Sequence, residues 1–187
     1  MGAGASRALA LTGCGVSPPS NRLLLGILGA LTAVVVVLAV PAAAEPPTGG
    51  SFQPGETLAG VRLGMTRAQV VGTWGERHGV CRGCEKRTWY FNERPFRPEG
   101  AGVVFARGEV VHAFTVWQPE GWTTPEGLTL GDEAGEIGSV YGELAEEDCG
   151  GYLALVREEP TGRSAFYVYE DEVWGFGLLA PGRSPCL

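Results

Sequence analysis

Histidine is scarce in this chain of 187 residues: only His78 and His112 are present. His112 stands in a strand-like run and reads as a surface or half-buried strand residue. Ser51, Ser139 and Ser164 occupy no G-x-S-x-G setting. No glycine-rich phosphate loop occurs, and the acidic groups Glu146-Glu147-Asp148 and Glu158-Glu159 lack the Asp-x-Asp spacing of a calcium loop. They read as loops on a solvated face. Positive charge is also short. From Glu45 onward there are 12 basic and 21 acidic residues, a net of −9. That balance does not attract a polyanion and excludes nucleic acid as a partner. The expectation is a protein that is not an enzyme and takes no cofactor and no metal.

What the chain does have begins with an apolar run. Arg22 precedes residues 23–40, Pro41 ends them, and Ala42-Ala43-Ala44 follows. A basic start, an apolar stretch and a small-residue site predict a signal peptide over 1–44, cleaved before Glu45. The run approaches the roughly 20 residues of a spanning helix. The alternative is therefore an uncleaved single-pass anchor that holds a cell-envelope structural domain with the C-terminal part outside, which makes 23–40 the membrane contact. Leu11-Thr12-Gly13-Cys14 looks like a bacterial lipobox but lies upstream of the apolar run. Residues 45–56 are rich in Pro, Gly and Ser and read as a disordered linker.

Thirty glycines favour a turn-rich fold. The stretch Leu63–Gly75 aligns without a gap to Leu130–Gly142. In the first copy Thr66 and Gln69 form a capping box, and Met65 and Val70 a hydrophobic staple. Val70, Val71 and Trp74 share one helical face, and Gly75 ends the helix. In the second copy Asp132 or Glu133 opens the helix. Ile137, Val140 and Tyr141 face inward, and Gly142 closes it. Gly135 and Gly138 each weaken that helix by about 1 kcal/mol relative to alanine.

Strands are expected over 88–91, 102–106, 110–117, 151–156, 164–169 and 172–179, with turns at Arg107-Gly108-Glu109 and Glu170-Asp171. The expected fold class is α+β: two tandem repeats, 57–118 and 127–187, joined by a loop over 119–126. Each repeat is a short helix packed on a three- to four-stranded antiparallel meander. The two meanders meet edge to edge in one sheet with both helices on one side.

Four cysteines follow the leader. Cys81, Cys84, Cys149 and Cys186 form an even set, which in an exported chain reads first as disulfides. The preferred pairing is 81–84 with 149–186, and two other pairings remain open. Alternatives for Cys81-Arg82-Gly83-Cys84 are a redox centre, or a zinc site that uses His78. The aromatics concentrate in the strands. Helices can cover one sheet face, so the other is expected to display a partner-binding surface. The candidates are Trp89, Phe91, His112, Phe114, Trp122, Tyr167 and Tyr169. Charge is split as well. Residues 56–118 carry +3 and residues 119–187 carry −11, an acidic half that could steer a basic partner.

The tandem L-G-x-[ST]-x-x-x-[VI]-x-x-x-[WY]-G helices, each followed by cysteine and a meander, resemble the β-lactamase inhibitor protein family. Each repeat is also similar to the small lipoprotein of the outer-membrane assembly machinery. The resemblance spans about Leu58 to Cys186. It rests on Leu63, Gly64, Thr66, Val70, Trp74 and Gly75, matched by Leu130, Gly131, Ile137, Tyr141 and Gly142. It implies a concave sheet that grips another protein but not which protein. The expected function is a protein-binding module, with an inhibitor of a secreted hydrolase such as β-lactamase as its narrow form, in a secreted or cell-surface setting. These are scaffold positions, so the resemblance carries no inhibitory residue over.

Overall fold

The computed structural model describes residues 47–81, 87–91, 100–116 and 121–187, all in the unit Pro41–Leu187. The leader and Cys84 fall outside them, and so do the cleavage, anchor and 81–84 readings. Among the described residues no helix is long and apolar enough to cross a membrane.

Helix α1 (Arg67–Trp74) begins where its capping signal stands. The Thr66 hydroxyl accepts from the Gln69 backbone N–H, and the Gln69 side chain accepts from the Thr66 N–H at 2.8 Å. Val70 and Trp74 are buried, and the Trp74 indole N–H donates to the Ala59 carbonyl at 3.0 Å. Helix α2 (Ala134–Tyr141) starts at Glu133, which makes no side-chain cap bond. Asp132 instead accepts from the Thr129 N–H at 2.6 Å and stabilises the preceding turn. Ile137 is buried and Tyr141 half-buried, but Val140 is 39% exposed, contrary to its expected inward place.

Strands dominate the rest. Eight form one antiparallel sheet: β3 (Gly79–Val80), β4 (Thr88–Phe91), β5 (Gly100–Ala106), β6 (Glu109–Val116), β8 (Ala145–Asp148), β9 (Leu153–Glu159), β10 (Gly162–Tyr169) and β11 (Glu172–Leu179). Their order is β3-β4-β5-β6-β11-β10-β9-β8. Three short strands, β1 (Gly50–Gln53), β2 (Thr57–Leu58) and β7 (Trp122–Thr123), make a second sheet of order β2-β1-β7.

The expected fold class is thereby corrected. The described chain is mostly β, with two helices of eight residues each, and it is not a pair of helix-on-meander units. The physical reason lies in what covers the large sheet. Its main core face holds Phe91, Val103, Phe105, Ala113, Phe166, Phe176 and Leu178. The helices bury Val70, Trp74 and Ile137 in that core and lean Ala134 and Tyr141 against it. The small sheet and its flanks bring Phe52, Leu58, Val61, Trp122, Leu128 and Leu130. Phe52 stacks on Phe176 at 5.1 Å and meets Phe166 edge-on at 5.7 Å. Because β1 pairs with both β2 and β7, the segments that flank the supposed first repeat on either side are tied together. Burying apolar area, rather than helicity, organises this layer.

Other expectations shift for related reasons. The 45–56 segment, read as disordered, contains β1, where Phe52 is fully buried. The joining loop contributes β7. Glu146-Glu147-Asp148 and Glu158-Glu159, read as loops, lie in β8 and β9. Acidic side chains suit β8 because it is a sheet edge, where charge discourages further pairing. The β5–β6 turn has two residues, not three: Arg107 (φ 52°) and Gly108 (φ 93°) both adopt the left-handed region. A register shift at Val104/Phe105 absorbs the difference.

Candidate functional site

The second face of the large sheet is where the surface aromatics were expected. A cross-strand row runs Tyr90, Gly102, Phe114, Gly177, Ala165, Val156. Phe114 therefore has glycine on both neighbouring strands. A Cβ at Gly102 would run into the Phe114 ring, and one at Gly177 into Tyr167. The two large rings lie in slots opened by glycine, close to the sheet. The segment after β11 adds a cover. Tyr167 donates its hydroxyl proton to the Pro185 carbonyl at 3.0 Å, and its oxygen meets His112 Nε2 at 2.9 Å. With that proton engaged, the contact requires His112 to carry hydrogen on Nε2 and donate it. A disulfide joins Cys149 to Cys186 and holds this segment in place. Full burial pushes the Tyr167 hydroxyl well above its usual range, and the charges of Tyr152 and Glu147 act the same way.

Most of the seven proposed contact residues are consequently inaccessible. Phe91, His112, Phe114, Trp122 and Tyr167 are all buried. Phe91 and Trp122 belong to the main core, not to the second face. Trp89 is half-buried on the main-core side, stacked on His78 at 3.8 Å, with Arg67 5.9 Å from its ring. Only Tyr169, at 47% exposure, is open to solvent. The zinc and redox readings need Cys81 and Cys84 together, and Cys84 lies outside the described residues. Cys81 is disulfide-bonded. Among the described residues no group of three or more His, Cys, Asp or Glu could hold a metal ion.

Tyr169 leads to a different constellation. It ends β10, and the chain turns through Glu170 (φ 49°) and Asp171 (φ 69°) into β11. Next to the turn the β10–β11 register shifts, leaving Trp174 as an extra residue between Val173 and Gly175. Such a bulge re-aims a side chain. Here it places Trp174 6.1 Å from Tyr169 and 5.3 Å from Tyr152, measured between ring centroids. Tyr152 is fixed from the other side. Its carbonyl accepts from Cys149 N–H at 3.0 Å, and its hydroxyl oxygen accepts from the Leu187 N–H at 2.6 Å. Burial raises its hydroxyl pKa, which the Leu187 bond partly offsets.

These three aromatics line a cavity of about 340 Å³ together with Leu130, Val173, Glu170 and Glu172. The volume is that of a small ligand pocket or a side-chain receptacle. Its described lining contains two carboxylates and no lysine, arginine, histidine, cysteine or serine. Chemically the site can pack apolar or π surface and accept charge-assisted hydrogen bonds. Trp174 and Tyr152 were missed in the sequence. Their signal would have been the bulge, which has no local pattern, together with the loop held by the Cys149–Cys186 bond.

No protein-family model matches the chain, and no curated protein matches it. Two solved structures are similar. One is an extracellular protein containing an SCP domain from Bacillus anthracis str. Ames, 14% identical with a TM-score of 0.43, covering 63% of this chain and 44% of that one. The other is a cysteine-rich secretory protein from Staphylococcus aureus subsp. aureus Mu50, 14% identical with a TM-score of 0.45, covering 74% and 50%. The chain thus spans half the length of these structures or less, and similarity at this level carries no argument about its fold or its function.

Proposed function

We propose that this chain is an exported protein-binding module without catalytic activity, and that the Tyr152–Tyr169–Trp174 cavity is its contact site. The observation that carries the reading is the cluster of three aromatics, one of them exposed, around a cavity whose described lining holds no serine, cysteine, histidine or lysine beside its two carboxylates. Aromatic anchors in partly desolvated pockets are what protein interfaces use most heavily. Export is supported by the leader reading and by the Cys149–Cys186 disulfide, which suits an oxidising compartment.

Immobilised full chain, exposed to an exported-protein fraction, is expected to retain a partner. The Tyr169→Ala/Trp174→Ala variant should lose it by at least about tenfold in affinity, the scale of an interface hot spot. Retention that is indifferent to both substitutions sinks the site assignment. A secreted hydrolase, β-lactamase among them, is the first purified partner to try. Absence of inhibition across several β-lactamase classes would remove the inhibitor form of the reading.

A further inference from the structure

The nature of what enters the cavity follows from its lining. We infer that the site receives the cationic side chain of a partner protein, a lysine or an arginine. This rests on the protein-binding reading above and names the group recognised.

Three observations converge. The rings of Tyr152 and Tyr169 stand 5.3 Å and 6.1 Å from that of Trp174, and aromatic rings clustered in this way suit a cation. Glu170 and Glu172 line the same space. Among the described residues neither is in an ion pair, whereas Glu147, Glu158 and Glu159 are taken by Arg163 and Arg157. The chain from residue 119 onward carries a net charge of −11, so the field favours a positive partner before contact is made.

A long cationic side chain uses all of these features. Its methylenes pack on Leu130, Val173 and the rings, and its charged end reaches the carboxylates. A leucine or phenylalanine plug would fill the same space but strip water from two glutamates without replacing it. That penalty selects against a neutral occupant.

The test uses capped pentapeptides, Gly-Gly-Xaa-Gly-Gly, with Xaa lysine, arginine or norleucine, titrated into the full chain while the Trp174 indole N–H is followed by NMR. Lysine or arginine is expected to bind about tenfold tighter than norleucine. That preference should shrink several-fold when salt rises from about 0.05 M to about 0.5 M, which shortens the Debye length. Glu170→Gln/Glu172→Gln alters two exposed side chains and leaves the rings in place. It should abolish most of the salt dependence while retaining norleucine binding. Equal binding of lysine and norleucine overturns the cation inference but leaves the protein-binding reading standing. No response to any peptide also overturns it. A lysine response combined with failure to retain any exported protein supports the cation site and refutes the wider reading.

Discussion

Phe114 is buried in space that its neighbours leave by lacking side chains. Gly102 and Gly177 flank it on adjacent strands, and the ring occupies the space that a Cβ at Gly102 would need. Gly102→Ala should therefore destabilise the protein by about 1–3 kcal/mol, the cost of overpacking. The same change in a Phe114→Ala background should cost much less. A double-mutant cycle in urea would show a coupling of about 1 kcal/mol or more, and additive effects would contradict the slot. Tyr167 makes a second residue-scale case. Tyr167→Phe keeps the ring but strands the Pro185 carbonyl and the His112 Nε2–H. The expected loss is about 1–3 kcal/mol in denaturant unfolding.

The two helices differ at their first turns more than in their lengths. Helix α1 has a complete capping box, and Thr66→Ala should cost about 1 kcal/mol. Helix α2 begins at Glu133 without a side-chain cap, and two glycines stand within it. Glu133→Ser supplies the missing acceptor and should stabilise by about 0.5–1 kcal/mol, visible as a higher Tm. The hairpin turns show a similar asymmetry. Arg107-Gly108 has one glycine for two left-handed positions, and Glu170-Asp171 has none. A left-handed non-glycine residue costs roughly 1 kcal/mol or more. The strain is tolerated where the turn also presents Glu170 to the cavity. Replacing Glu170-Asp171 by Asn-Gly should raise stability and weaken cation binding together.

At the scale of the whole molecule the segment after β11 is tied back across the sheet. The Cys149–Cys186 bond closes a loop with a sequence separation of 37. By loop-closure entropy, Cys149→Ser/Cys186→Ser should lose about 4 kcal/mol. It should also increase exposure of Tyr152, measurable as faster modification by a tyrosine reagent. The protein's alkaline limit follows from its tyrosines. Burial raises the hydroxyl pKa of Tyr90, Tyr141, Tyr152 and Tyr167 above the ordinary 10.0. Folding thus favours their protonated forms. Their contribution is intact below pH 10 and is lost as pH rises through the folded values. Spectrophotometric titration should show Tyr167 ionising only as the fold opens. Early, reversible ionisation of every tyrosine would contradict its burial.

Short-range features were readable from residue order because their causes are local. A threonine three residues before a glutamine, a glycine after the last helical turn, and alternating β-branched and aromatic runs each act within a few residues. They placed α1, α2 and the longer strands close to where they lie. The Cys149–Cys186 pairing was also legible, since each cysteine follows an element of the second half. The cover of the sheet was not. Phe52 and Trp122 look like loop aromatics until β1 pairs with β7 and carries both into one core. Nor could alternation tell which aromatics stay exposed. Phe114 and Tyr167 disappear because glycines on neighbouring strands admit their rings, and cross-strand register is a long-range property. The cavity depends on the same kind of fact: a bulge in β11, a disulfide-held Tyr152 and the strand end at Tyr169 meet only after the chain has folded.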